Sequence, residues 1–136
     1  MKIIRHLPQV TFEILAALVL HVRENGGATF DLILGRHCEP SDGRYRYSSY
    51  KYAERSMPFS DFNVESLNNY IQEFQHHFLS YEIGIWHNQD DGLVYLDISE
   101  ANDELETALD FARICDQLAI YDTVTGETIP VPDEEV

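Results

Sequence analysis

The sequence predicts an α+β domain, a mostly antiparallel sheet built from hairpins with about three helices packed on one face. Three observations lead there. Apolar residues follow helical spacing, or fill a helix-length segment, near Val10–Arg23, Val64–Leu79 and Asp103–Cys115. Strand-like alternation occupies the stretches between them, bounded by Gly, Asn and Asp clusters. The resulting order (helix, strands, helix, hairpin, helix, hairpin) places helices and strands in separate layers around one core.

The first helix, from about Val10 to Arg23, follows Pro8 and has Thr11 as its cap. Asn25-Gly26-Gly27 ends it, because glycine accepts the left-handed conformation that closes a helix. Its seven-residue apolar run, Ile14–Leu20, is far short of the ~20 residues needed to span a bilayer. Glu13 interrupts any signal-like segment, and His21, Arg23 and Glu24 follow at once, so no secretion signal is expected. Being apolar almost all round, this helix should be wrapped by other elements.

Ala28–Arg36 alternates Phe30, Leu32 and Leu34 with Thr29, Asp31 and Ile33, a strand period. Residues 37–43 read as a turn, and Arg44–Tyr47 as the return strand of a hairpin. The second helix, Val64–Leu79, starts at the cap Asn63 and carries Leu67, Tyr70, Ile71, Phe74 and Phe78 on one stripe. Tyr81–His87 and Leu93–Ser99 flank the turn Asn88–Gly92 and form a hairpin. The third helix, Asp103–Cys115, takes Asn102 as cap, with Leu105, Ala108, Leu109, Ala112 and Cys115 facing inward. Gln117–Tyr121 and Glu127–Val131 close the chain as a hairpin, giving one domain over residues 1–131 and an acidic tail over 132–136.

From Gly26 onward, several stretches carry a resemblance. They are Ser49-Tyr50-Lys51-Tyr52-Ala53-Glu54-Arg55 before a proline-bearing strand, Ile83-Gly84-Ile85-Trp86, Val94-Tyr95-Leu96-Asp97-Ile98-Ser99, Asp116–Asp122 and Thr125-Gly126-Glu127. Over residues 26–131 the chain resembles small uncharacterised proteins of actinobacteria, their bacteriophages and mobile elements. The resemblance implies a genomic setting and assigns no catalytic residues.

Charge narrows the function classes. The chain of 136 residues holds 24 acids and 9 bases, for a net −15. Eight of the nine bases lie in residues 1–55 against six acids, whereas residues 56–136 hold eighteen acids and Arg113 alone. A carboxylate-rich surface repels phosphates, so direct duplex binding is not expected. Such asymmetry suits an electrostatically chosen protein partner, or serves solubility.

The search for chemistry finds no enzyme signature and predicts no catalytic residue, metal site or cofactor. His76 and His77 point about 100° apart on a helix and cannot readily share one ion, while Glu73 and His77 lack further ligands. His37, Cys38 and Glu39 alternate faces in extended chain. Cys38 and Cys115 are expected reduced in a cytoplasmic protein, with a bridge between them as the alternative. Asp90, Asp91 and Asp97 read as turn and strand residues.

Two segments are candidate partner-binding surfaces. Arg44-Tyr45-Arg46-Tyr47-Ser48-Ser49-Tyr50-Lys51-Tyr52 mixes Tyr, Arg and Ser as binding loops do. Asp103, Glu106 and Asp110 form a helical stripe with axial steps of about 4.5 and 6 Å, comparable to phosphate spacing. The expected function is therefore a non-enzymatic protein-binding module of phage or mobile-element origin. The alternatives are a nucleic-acid-mimicking inhibitor of a basic defence protein and a small enzyme with a site assembled from dispersed His, Asp and Tyr residues. A monomer or an edge-strand dimer is expected, with no membrane contact.

Overall fold

The computed structural model describes residues 10–132, and the acidic tail expected over 132–136 lies outside them from residue 133 onward. Helix α1 spans Phe12–Asn25; Thr11 Oγ1 accepts from the Ile14 N–H, and Gly26 at φ +85° donates its N–H to Val22 O. Leu15, Leu18, Val19 and Val22 are buried, but Phe12 and Leu20 face solvent. The expectation of a fully wrapped helix is thus corrected. Among the described residues the helices occupy a single layer, and nothing there covers the outer side of α1.

The predicted strand Ala28–Arg36 divides into β1 (Gly27–Asp31) and β2 (Arg36–His37). Asp31 Oδ1 accepts from the N–H groups of both Ile33 and Leu34, and Gly35 at φ +69° closes the turn. That local Asx geometry wins over the alternating pattern, although Leu32 is still fully buried inside the turn. Strand β3 (Tyr45–Ser48) follows, then β4 (Arg55–Pro58), with Pro58 at its end as expected of an edge strand.

Helix α2 (Val64–Glu73) begins with a reciprocal cap between Asn63 and Ser66. It ends earlier than its apolar stripe predicts, because a 3₁₀ turn at His77–Leu79 tightens the chain toward the sheet while keeping Phe78 buried. Strands β5 (Glu82–His87) and β6 (Leu93–Asn102) form the predicted hairpin, with Ile83 opposite Ile98 and His87 opposite Val94. Helix α3 spans Leu105–Ile114 with Glu104 at its cap position. Asn102 is the last residue of β6, and its Oδ1 accepts from the Glu104 N–H, so it serves the turn rather than the helix. The closing hairpin is β7 (Ala119–Asp122) with β8 (Glu127–Pro130), Asp122 opposite Glu127.

The eight strands form one sheet in the order β2-β1-β5-β6-β3-β7-β8, with β4 also beside β6, and every pairing is antiparallel. The hairpin expected between residues 28–36 and 44–47 does not form: β3 pairs with β6 and β7 instead. All three helices cover the same sheet face. One core cluster joins Leu18, Val22, Leu67 and Ile71 to Ile83, Ile85, Leu96 and Ile98. A second joins Ala108, Leu109 and Ala112 to Tyr45, Tyr47 and Ile120. On the opposite face, the segment from β2 to β3 crosses β1, β5 and β6. Gly43 passes so close to β6 that a Cβ there would sit 2.3 Å from the Ala101 Cβ.

Candidate functional site

The structure sorts the predicted binding residues into two groups. Strand alternation turns Tyr45 and Tyr47 toward α3 and Arg46 to the opposite face. Arg46 is 4% exposed beneath the crossing segment, donating to Glu82 Oε1 at 3.2 Å and to Asp42 O at 3.3 Å. Arg44 forms a forked pair with Asp122 at 3.0 Å and lies over the Tyr45 ring. The expectation that Arg44, Tyr45, Arg46 and Tyr47 present a free surface is corrected: Tyr45, Arg46 and Tyr47 are buried, and Arg44 is committed to Asp122. Lys51 is paired with Asp116.

The acidic stripe is also divided. Asp103 precedes α3 and its Oδ1 accepts from the Arg44 N–H at 3.0 Å. Asp110 pairs with Arg113 at 3.1 Å, and Glu106 is exposed. The three carboxylates therefore do not form one free row on a helix.

Tyr50 stays partly exposed, and with the buried Tyr47 it lines a pocket of about 210 Å³ between β3, β6 and α3. Its lining is Tyr47, Ser49, Tyr50, Glu100, Phe111, Ile114 and Cys115. Tyr47 lies directly opposite Glu100 in the β3–β6 ladder, and its ring centroid is 6.1 Å from that of Phe111. Tyr50 is fixed by its hydroxyl bond to Tyr81 and by the His77 ring at 4.6 Å. Tyr52, exposed beside it, shares a 2.6 Å hydrogen bond with His77 Nε2. Along α3 the pocket rim continues into exposed apolar side chains, Ile114 at 78% and, just past the helix, Leu118 at 88% exposure.

Glu100 distinguishes this pocket from a packing gap. It follows Val94, Leu96 and Ile98 on the helix-covered face of β6, where an apolar residue would continue the pattern. Among the described residues no cation lies within ion-pair distance of it, and it makes no side-chain hydrogen bond. Burial, followed by the charge of Glu82, raises its pKa above the ordinary carboxylate range. Burial also pushes Tyr47 up to about 12, with Glu100 adding to the effect. Cys115 is raised by burial and then by Glu100; its Sγ donates to Ser49 O at 3.3 Å. Both effects disfavour the Cys115 thiolate.

The remaining candidates do not converge. Cys38, pushed up to about 11 by burial, and Cys115 are both free thiols. His37 packs on His21 at 4.3 Å, away from Glu39, which instead starts the Pro40–Asp42 turn. Glu73 pairs with Arg55 at 2.9 Å. Asp90 and Asp91 hold the β5–β6 turn: the Asp90 N–H donates to Asn88, and Asp91 accepts from the Leu93 N–H. Asp97 lies across Gly84 on the opposite sheet face, its pKa pushed up to about 7 by burial and then by Glu54. Among the described residues no three His, Cys, Asp or Glu side chains gather closely enough to hold a metal ion, and no helix is long and apolar enough to cross a membrane. A wider depression of about 570 Å³ between the starts of α1 and α2 adjoins Val10, and its one ionisable lining residue, Glu65, is exposed.

No known family matches the chain, and no curated protein or solved structure was found to be similar to it.

Sequence reasoning found Tyr47 and Tyr50 but missed Glu100, Phe111 and Ile114. A signal for each was present. Glu100 breaks an apolar alternation, while Phe111 and Ile114 are large apolar residues left outside the inward stripe of α3.

Proposed function

We propose that the protein is a non-enzymatic protein-binding module that docks a basic partner against α3 and the pocket beside it. The carrying observation is the conjunction of an exposed apolar rim with an unpaired, half-buried carboxylate behind it. Apolar rim residues supply area, and a partly desolvated charge beside them supplies selectivity. A net charge of −15 speeds the approach of a positively charged partner and repels nucleic acid. The volume supports the same reading: about 210 Å³ is small beside the ~300–1,000 Å³ typical of small-molecule sites, and fits one side chain better than a substrate. The cytoplasm of a cell carrying a phage or mobile element is the setting this reading takes from the resemblance.

Random-peptide display against the intact protein, followed by NMR mapping of the strongest binders, tests it. Binders are expected to combine basic and apolar residues and to perturb Tyr50, Phe111 and Ile114. Phe111→Asp and Ile114→Asp should each abolish binding with the fold intact. Binders that map to the opposite sheet face around Trp86, or the absence of any binder at α3, would remove the proposal.

A further inference from the structure

A space of about 210 Å³ admits one side chain of a partner. Resting on the proposed docking at α3, we infer that the Glu100 pocket is a receptor for a single arginine side chain of the partner, flanked by an apolar residue that covers Phe111 and Ile114. The pocket offers a carboxylate with no cation of its own, set among the aromatic rings of Tyr47, Tyr50 and Phe111. The nearby bases are already engaged: Lys51 by Asp116, Arg113 by Asp110 and Arg46 by Glu82. No residue of the described chain therefore neutralises Glu100.

The walls select the cation. A guanidinium can place its planar face on an aromatic ring and direct its N–H fork at a carboxylate, satisfying both features at once. An ammonium is a compact, strongly hydrated point charge, and stripping its water in an apolar pocket is more costly. The half-buried carboxylate gains most from such a partner, because an unpaired charge out of water is destabilising until it is paired. The Cys115 thiol and the Tyr47 and Tyr50 hydroxyls are neutral or anionic groups and never cations, so they do not compete with an incoming guanidinium.

The test titrates acetyl-Leu-Arg-Leu-amide, its lysine counterpart and its citrulline counterpart into the full chain. Binding is read from NMR shifts of the Phe111 and Tyr50 rings and from the carboxyl carbon of Glu100. The arginine peptide should saturate, with affinity about tenfold above the lysine peptide and further above the uncharged citrulline peptide. Glu100→Gln should erase that preference while leaving residual binding by the leucines. Where Glu100→Gln disturbs the fold, the arginine–citrulline comparison on the unaltered protein decides alone. Equal affinity for all three peptides at α3 would overturn the arginine assignment and leave the docking face standing. No shift at Phe111 or Tyr50 with any of them would overturn both.

Discussion

Replacing Asp97 with asparagine should stabilise the protein at alkaline pH and do progressively less as the pH falls. Asp97 sits in the middle of β6 with its carboxylate lying over Gly84 of β5, where a Cβ would come within 2.2 Å of Asp97 Oδ1. Burial, aided by Glu54, pushes its pKa up to about 7 from 3.8. The folded chain therefore holds this proton where the unfolded chain has lost it, so folding stability falls as pH rises from about 4 to 7. At about 1.4 kcal/mol per pH unit, the full gap corresponds to about 4 kcal/mol above pH 7, of which about 2 kcal/mol develops between about pH 5.5 and 8. The asparagine amide fills the same space as the carboxyl group and never ionises. Urea titrations of both proteins across that range read the difference directly, because the other carboxylates are common to both and cancel. The Asp97→Asn advantage should grow by about 1–2 kcal/mol between the two ends, since Asp97 retains some contact with water. A constant difference, or one that shrinks toward alkaline pH, would refute the reasoning.

Three further outcomes follow from the fold. Gly43→Ala should destabilise by about 2 kcal/mol or more in denaturant titrations, since φ is +139° and the new Cβ meets Ala101; Ala101→Gly relieves the contact but not the backbone strain, so rescue should be partial. Arg46→Ala strands Glu82 and the Asp42 carbonyl under the crossing segment and should cost about 3 kcal/mol, more than Arg36→Ala at the exposed Arg36–Asp42 pair, which should cost about 1 kcal/mol or less. Asn63→Ala removes the acceptor for the Ser66 N–H and should lower stability by about 1 kcal/mol, readable as a drop in Tm.

Much of the architecture was legible because local patterns and tertiary demands agree. The Asn63 cap, the Gly26 terminus, the Asn88–Gly92 turn and the alternation in β5 and β6 each act within a few residues. What was not legible depends on distant partners. Phe30, Leu32 and Leu34 alternate like a strand, yet only Phe30 stays in β1, and two bonds to Asp31 fold the chain from Leu32 to Leu34 into a turn. Arg44–Tyr47 is a strand as expected, but its neighbours are β6 and β7, and that choice buries Arg46 and Tyr47. Asp103 and Glu106 share a helical stripe only if the helix starts at Asp103, whereas Asp103 is drawn off to the Arg44 amide. Half of the pocket was visible in the Tyr-rich segment; Glu100 and Phe111 enter it from β6 and α3, which no short window joins to that segment.

The pairing scheme also bears on how the chain folds as it is made. Strands β1, β3 and β4 all precede residue 60, but none pairs with another of the three; each waits for β5 or β6. A nascent chain leaving the ribosome therefore has little sheet to build, beyond the two-residue β1–β2 contact, until residues 82–102 emerge. Those residues form a hairpin of local contacts, the cheapest sheet element to nucleate. The earlier strands then add to its two edges, so that assembly proceeds outward from the middle of the sheet rather than in the order of the chain.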